Sequence, residues 1–354
     1  MRVLHVDSAA SWRGGQNQVL LTAQGMQVLG HEVALACRKG GVLGERAAAA
    51  GLRVFPLPFR GDLSPAAAFG LRRVLRGFRP EAVQLHDPHA VAAGVLAGRL
   101  GARRVATRRV DFPLRGGFSR RKYLACDRVV AVSQAIASVL ESGGLAREHV
   151  EVVYEGVPDR AARAGGCETL RGLGVPEGAL VIGNVAALTD HKDHATLLEA
   201  AALLRSRAPE ARYVIVGEGE RRAELEQQTR ALGLSDRVTF AGFRDDLDSL
   251  LPACDVFCLS SKLEGLGTSL LDAMCFGRAI VATAAGGIPE AVLDGVTGRV
   301  VPVRDPSALA DALHDVLRDA ARRDALGRAG RERFLRRFTA ERMVDETLRV
   351  LGTA

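Results

Sequence analysis

Residues 256–282 read VFCLSSKLEGLGTSLLDAMCFGRAIVA. Val256–Leu259 and Ala279–Ala282 are short aliphatic runs, and each predicts a buried strand. Between them Gly265 and Gly267 make a turn, and a helix is expected to start near Gly267. Strand, turn, helix and strand form one βαβ unit, with parallel strands and a right-handed crossover.

The same alternation runs outward in both directions. Upstream, strands are expected at Leu180–Val185, Arg212–Val216 and Arg237–Phe240, with helices such as Ala195–Ser206 and Glu220–Leu232 between them. Downstream, Arg299–Val303 adds one more strand, and from Pro306 onward only helical patterns remain, the last over Ala340–Leu351. An earlier series runs through Val3–Asp7, Glu32–Cys37, Arg53–Leu57, Ala82–His86, Arg104–Thr107, Arg128–Val132 and Val150–Tyr154. Its helices include Ala66–Phe78, Ala90–Leu100 and Gln134–Glu141, the last with Ser133 placed as N-cap. Gly156-Val157-Pro158 and an aperiodic stretch containing Gly165-Gly166 separate the two series. The expected fold class is therefore α/β, with two Rossmann-like domains at residues 1–158 and 171–335. A linker is expected at 159–170, and a helix within 336–354 that packs back on the first domain. At roughly 150 residues per domain, the 354 residues accommodate this.

Composition agrees. The chain is 47% hydrophobic and 25% charged, which excludes collagen-like, coiled-coil and disordered classes. The apolar run near Ala90–Gly98 is less than half of the roughly 18–20 residues a membrane span needs. Asp7 arrives too early for a secretory leader, so a cytoplasmic location is expected. The six cysteines show no CxxC and no metal-ligand spacing, so they read as free core thiols and no metal site is expected. Net charge is +7, and ten basic residues lie between Arg99 and Arg128 (Arg99, Arg103, Arg104, Arg108, Arg109, Arg115, Arg120, Arg121, Lys122 and Arg128) against Asp111 and Asp127. Two readings fit: a solvated arginine-rich face, or a face for an acidic substrate or an anionic membrane surface. Nucleic acid is not an expected partner, because aromatic residues do not interleave this run.

Two turns could carry chemistry. Gly14-Gly15 follows the first strand and opens a helix, where backbone can approach a ligand closely. Glu264 sits at the carboxyl end of the strand Val256–Leu259, the end at which open α/β sheets bind ligands. The backbone N–H groups from Leu266 to Ser269 would face a phosphate, and Asp272 lies further along the helix. The same residues also read as ordinary turns with solvated carboxylates. Asp246-Leu247-Asp248 spells a metal-binding DxD, but it reads as the opening of a helix before Pro252.

In these segments the chain resembles the retaining glycosyltransferases of family four, which have the GT-B fold. The family's E-G-x-G-x-x-x-x-E-A-M-x-x-G stands here as Glu264-Gly265-Leu266-Gly267 through Asp272-Ala273-Met274 and Gly277. Gly14-Gly15, Gly30-His31-Glu32-Val33, Asp255-Val256, Gly286-Gly287-Ile288-Pro289-Glu290 and Asp294-Gly295-x-x-Gly298 match further segments in order. The resemblance implies two domains facing across a cleft and a nucleotide-diphosphate sugar as donor, with no cofactor and no metal. It places Glu264 beside the transferred sugar, Asp272 on the ribose and Lys192 on the leaving diphosphate. Leu266, Gly267, Thr268 and Ser269 would bind the diphosphate through backbone, Phe243 and Arg244 would lie at the base, and Gly14 and Gly15 at the diphosphate. Asp272 replaces the usual second Glu, and the Arg that normally accompanies Lys192 is missing from Val185-Ala186-Ala187-Leu188. Arg109 stands where the family often has a His, leaving His86 as the remaining histidine candidate. The implied activity is metal-independent, retaining transfer of a sugar to a hydroxyl acceptor, a cell-envelope glycolipid or polysaccharide precursor. A nucleotide-sugar epimerase on the same fold, or a non-catalytic nucleotide-sugar-binding protein, are the alternatives.

Overall fold

In a computed structural model of the chain, which describes residues 1–61, 64–114 and 116–352, the strands form two parallel sheets, one of seven strands and one of six. The first sheet contains β1 (Arg2–Asp7), β2 (Glu32–Arg38), β3 (Arg53–Leu57), β4 (Ala82–Leu85), β5 (Arg103–Arg108), β6 (Arg128–Ala131) and β7 (Val150–Val152), in the order 3-2-1-4-5-6-7. The crossovers carry α1 (Gly14–Val28), α2 (Val42–Ala49), α3 (Pro65–Phe78), α4 (Pro88–Ala97), α5 (Phe118–Leu124) and α6 (Gln134–Ser142). Side chains alternate across β1: Leu4 and Val6 join one buried cluster with Leu71, Leu85 and Ile136, while Val3 joins another with Val19, Met26 and Leu35. Ser133 caps α6, accepting from the Ile136 N–H at 3.2 Å. Helix α4 starts two residues before the expected Ala90, because Pro88 is at its first position and the Asp87 carboxylate accepts from the N–H groups of His89 and Ala90.

After α7 (Gly166–Gly172), the second sheet contains β8 (Leu180–Val185), β9 (Ala211–Val216), β10 (Val238–Gly242), β11 (Val256–Leu259), β12 (Ala279–Thr283) and β13 (Arg299–Val301), in the order 10-9-8-11-12-13. Its helices are α8 (His194–Leu204), α9 (Arg222–Ala231), α10 (Leu247–Leu250), α11 (Thr268–Cys275), α12 (Ile288–Ala291), α13 (Pro306–Leu317) and α14 (Ala320–Arg337). Leu197, Leu204, Leu309 and Leu313 pack one face, and Leu170, Val214 and Leu250 the other. In each sheet the winding reverses once, between β1 and β4 and between β8 and β11.

The chain divides into two units. Unit 2 is Pro158–Phe338; unit 1 is Met1–Val157 together with the segment from Thr339 onward. That segment forms α15 (Ala340–Gly352), which packs on α1. The Ala340 N–H donates to the Val157 carbonyl at 2.9 Å, and the Met343 sulfur accepts from the Gly156 N–H at 3.3 Å. No helix among the described residues is long and apolar enough to cross a membrane.

Three expectations need correction. Residues 159–170 are not a free linker: Arg160 reaches Asp248 at 2.8 Å and also pairs with Asp272, the Arg163 N–H donates to the Asp248 carbonyl, and α7 starts at Gly166. Cys167 is exposed, whereas the other five cysteines are buried; all six are free. The basic run is not one face. Arg104, Arg108 and Lys122 are buried, and they donate to the carbonyls of Gly94, Phe112 and Pro88 respectively. Their aliphatic stems cross the core and their charged ends finish on backbone oxygens. Arg99, Arg120 and Arg121 are exposed, and Arg115 lies outside the described residues.

Helices α1 and α15 approach closely at Gly25, where an added Cβ would lie 2.6 Å from a Val344 methyl. Removing a mid-helix glycine gains roughly 0.5–1 kcal/mol of backbone entropy, and overpacking costs roughly 1–3 kcal/mol. Gly25→Ala is therefore expected to destabilise the wild-type background. In a Val344→Ala background the same change is expected to cost at least about 0.5 kcal/mol less, a coupling of the kind direct neighbours show. Urea unfolding of the four variants checks this; strict additivity would contradict the contact.

Candidate functional site

In unit 2 the candidate side chains Lys192 and Glu264 meet where β8 and β11 diverge. A turn at Asp190–Lys192 follows β8, and Ser260–Gly267 links β11 to α11. Backbone chemistry ties these two loops together. The Ser260 hydroxyl donates to the carbonyls of Asp193 (2.9 Å) and Lys192 (3.2 Å), and the Lys262 N–H donates to the His191 carbonyl at 2.9 Å. Lys192 Nζ and Glu264 Oε2 form an ion pair, with side chains only 16% and 14% exposed. The Ser261 hydroxyl donates to the same carboxylate at 3.2 Å. The loop after β12 closes from a third side: Gly286 has φ +49°, and a Cβ there would stand 1.7 Å from the Glu264 carbonyl oxygen. Only glycine permits that approach.

Leu266 is fully buried, so it offers a ligand its backbone alone. Gly267 has φ +87° and precedes α11, whose first turn has no side-chain cap and no acidic residue. The N–H groups of Thr268 and Ser269 consequently belong to a helix start whose partial positive charge no side-chain cap or acidic residue offsets. Asp272, in the second turn, pairs with Arg160, and Arg160 also holds Asp248. Burial pushes the Asp272 carboxyl up to about 6, with Arg160 opposing and Asp248 adding to the rise. Phe243 is exposed, while the Arg244 guanidinium is spent on Asp246 at 2.7 and 2.6 Å. Both carboxylates of the DxD-like pair are thus ion-paired. Sequence reasoning missed Arg160, which lay in the presumed linker, and the buried His194. His194 Nε2 donates to Asn184 Oδ1 at 3.1 Å, Asn184 donates to the Cys258 carbonyl, and burial lowers the imidazole to about 4.

In unit 1 the corresponding divergence lies between β1 and β4. Asp87 accepts from the Ser8 N–H (2.6 Å) and hydroxyl (2.7 Å) as well as capping α4, which locks the β1 and β4 ends together. Burial and neighbouring Asp87 push the Asp7 carboxyl up to about 6. His86 is buried against His5, with Nε2 to Nδ1 at 2.9 Å. Arg109 donates to His86 Nδ1 at 3.2 Å and to Glu155 at 2.8 Å. Gly14-Gly15 opens α1 with no side-chain cap, and a Cβ on Gly15 would stand 3.6 Å from Arg109 Cδ, in ordinary contact. So Arg109, His86 and Gly15 are neighbours. No motif in the sequence singles out Glu155 or His5. A period-two polar pattern (His5 and Asp7 in β1, Gln84 and His86 around β4) was the available signal, because central parallel strands are normally apolar throughout.

The profile described as Glycosyltransferase Family 4 matches residues 12–160, and that described as Glycosyl transferases group 1 matches residues 168–333. Over 346 residues, covering 90% of each chain, the sequence is 31% identical to the GDP-mannose-dependent alpha-(1-6)-phosphatidylinositol monomannoside mannosyltransferase of Mycolicibacterium smegmatis. The chain belongs to glycosyltransferase family 4. The chain is also similar to the lipopolysaccharide core biosynthesis glycosyltransferase LpsE of Rhizobium meliloti, 33% identical over 51% of this chain and 52% of that protein. The matched region thus spans about half the length of the first curated relatives. The Anabaena HepE structure in complex with UDP and glucose superposes with a TM-score of 0.87 over 100% of both chains at 22% identity, which shows the GT-B fold.

The Asp272–Arg160 pair makes a prediction independent of any ligand. A carboxylate-resolved NMR titration should show Asp272 protonating near pH 6. Because the guanidinium favours the ionised form, Arg160→Gln should move that midpoint upward. A downward or absent shift would contradict the pairing.

Proposed function

We propose that this family 4 protein is a retaining glycosyltransferase that moves a sugar from a nucleoside-diphosphate donor to a hydroxyl of a cell-envelope glycolipid or polysaccharide precursor. The observation that carries the reading is the Lys192–Glu264 pair at the β8–β11 divergence, beside the uncapped start of α11. The bound UDP in the HepE structure and the envelope-glycan names of the relatives support it.

The chemistry follows from where charge develops. As the bond from the anomeric carbon to the β-phosphate breaks, negative charge grows on the phosphate and positive charge on the sugar ring. Lys192 and the N–H groups of Leu266–Ser269 meet the first, and the Glu264 carboxylate meets the second. These fixed charges do the work that a divalent metal does elsewhere, so the reading includes no metal. The acceptor oxygen attacks from the departing side, the new bond to the anomeric carbon forms there, and the acceptor proton passes to the leaving phosphate. Asp272 takes the ribose hydroxyls, with Arg160 favouring its ionised, accepting form. Phe243 lies at the base.

Calorimetry with UDP, GDP, ADP and CDP in metal-free buffer should reveal one preferred nucleotide. Glu264→Gln should lower donor turnover by about 10²–10³ while nucleotide binding survives. Full turnover in that variant would remove Glu264 from the site, and binding of none of the four would remove the donor assignment.

We place the protein at the cytoplasmic face of the membrane. Six unpaired cysteines suit a reducing compartment. Around α5, Phe112, Phe118 and Leu124 are 53%, 46% and 43% exposed beside exposed Arg120 and Arg121. Exposed apolar side chains flanked by cations suit an anionic lipid surface. Wild-type protein should co-sediment with phosphatidylglycerol-containing vesicles at about 0.1 M salt. Each cation contributes about 1 kcal/mol, so Arg120→Glu with Arg121→Glu should weaken binding at least about tenfold. Absence of wild-type binding would sink the membrane assignment.

A further inference from the structure

The buried polar groups of unit 1 form a chain whose direction is fixed at one end. Arginine can only donate hydrogen bonds. Arg109 Nη1 approaches His86 Nδ1 at 3.2 Å and the His86 carbonyl at 3.3 Å, so Nδ1 of His86 carries the lone pair. A neutral imidazole then holds its proton on Nε2, which lies 2.9 Å from His5 Nδ1 and must donate to it. His5 in turn carries its proton on Nε2, a buried atom with no hydrogen-bond partner among the described residues. Gln84 stands opposite His5 in the β1–β4 register, and its side-chain carbonyl is likewise buried without a hydrogen-bond partner among the described residues, the chemical complement of that N–H. Its amide nitrogen is already given to Thr107 Oγ1 at 2.9 Å.

Neutrality of both rings has a physical cause. Burial and the Arg109 guanidinium hold His5 down at about 3 and His86 well below the ordinary imidazole range. Arg109 is the charged group that acts on both rings; it is paired with Glu155 and interacts with Asp7, which also faces Asp87. Glu155 holds the opposite edge of the guanidinium through Nε at 2.8 Å, with side chains 16% exposed for Arg109 and 8% for Glu155.

We propose that His86 and His5 are positioning residues, which act through a one-way hydrogen-bond chain Arg109→His86→His5 to fix the Arg109 guanidinium. In this arrangement both His86 nitrogens are engaged inside unit 1, so His86 neither gives nor takes a proton from a reactant. Arg109, gripped by His86 and Glu155, is the member of the cluster that offers remaining N–H donors to an anionic oxygen of the substrate. That last clause rests on the proposed transferase function; the chain itself does not.

The test is long-range 1H–15N correlation NMR of the histidine rings in the full-length protein, assigned through His86→Asn and His5→Gln. Both rings should be neutral with the proton on Nε2 from pH 5.5 to 8. A proton on Nδ1 of His86, or an imidazolium at pH 7, overturns the proposal. The Arg109 side-chain N–H signals should be protected in wild type, lost to exchange in His86→Leu and retained in His86→Asn, whose carbonyl oxygen replaces the Nδ1 acceptor. Unchanged Arg109 signals in His86→Leu also overturn it. Should His86→Leu fail to fold, the tautomer measurement on wild type decides alone. With the donor found by calorimetry, Arg109→Gln and His86→Leu should lose turnover by the same factor, about 100-fold, and His86→Asn should recover most of it. Failure of every nucleoside-diphosphate sugar to turn over would sink the transferase reading, while the ring tautomers still decide the chain.

Discussion

Parallel winding imposes the constraint on which the rest depends. When a sheet of parallel strands reverses its winding direction, the two loops at the reversal leave on opposite sides and a gap opens at the strand ends between them. Here this happens once in each sheet, between β1 and β4 and between β8 and β11. Lys192 follows β8 and Glu264 follows β11, while His86 follows β4 and meets Arg109 from beyond β5. Strand order thus determines which loops can cooperate, and the identity of a few loop residues determines what they can do.

In both units the candidate site residues are held in mutually paired charges. Lys192 with Glu264, Arg160 with Asp272 and Asp248, and Arg109 with Glu155 are all largely shielded from water. Removing one partner from such a pair strands the other and costs roughly 3–5 kcal/mol where burial is complete. The pairs are therefore both architecture and chemistry, and loss of a single charge would disturb the loop as well as its contact with a ligand. Backbone contacts reinforce this: Gly286 passes so close to the Glu264 carbonyl that no side chain fits between them.

Much of the fold was legible because aliphatic period and turn residues agree locally. The runs at Arg53–Leu57, Leu180–Val185 and Val256–Leu259 are strands with the same bounds as their sequence patterns. Lys192 and Glu264, 72 positions apart, were both named from motif segments, and they meet as an ion pair. What stayed hidden has a common cause, namely polar residues whose partners come from distant strands or loops. Arg104 and Arg108 read as part of a surface run of charge, solvated or facing an anionic partner, yet they finish on carbonyl groups inside unit 1. Arg160 read as linker because its partners Asp248 and Asp272 lie about 90 and 110 residues further along. Glu155 follows a three-residue edge strand and has no local pattern at all; only Arg109, from beyond a different strand, gives it meaning.

The return of α15 to unit 1 has a consequence for synthesis. Met26, Val19 and Leu35 share their buried cluster with Met343, Val344 and Leu351, which leave the ribosome only after all of unit 2. At about 5–20 residues per second, unit 1 waits on the order of ten to forty seconds with that apolar face uncovered. Unit 2, contiguous in the chain, has its whole core available earlier. The nascent protein therefore completes its second unit before its first, and in that interval the α1 surface is an open invitation to chaperones or to a neighbouring nascent chain.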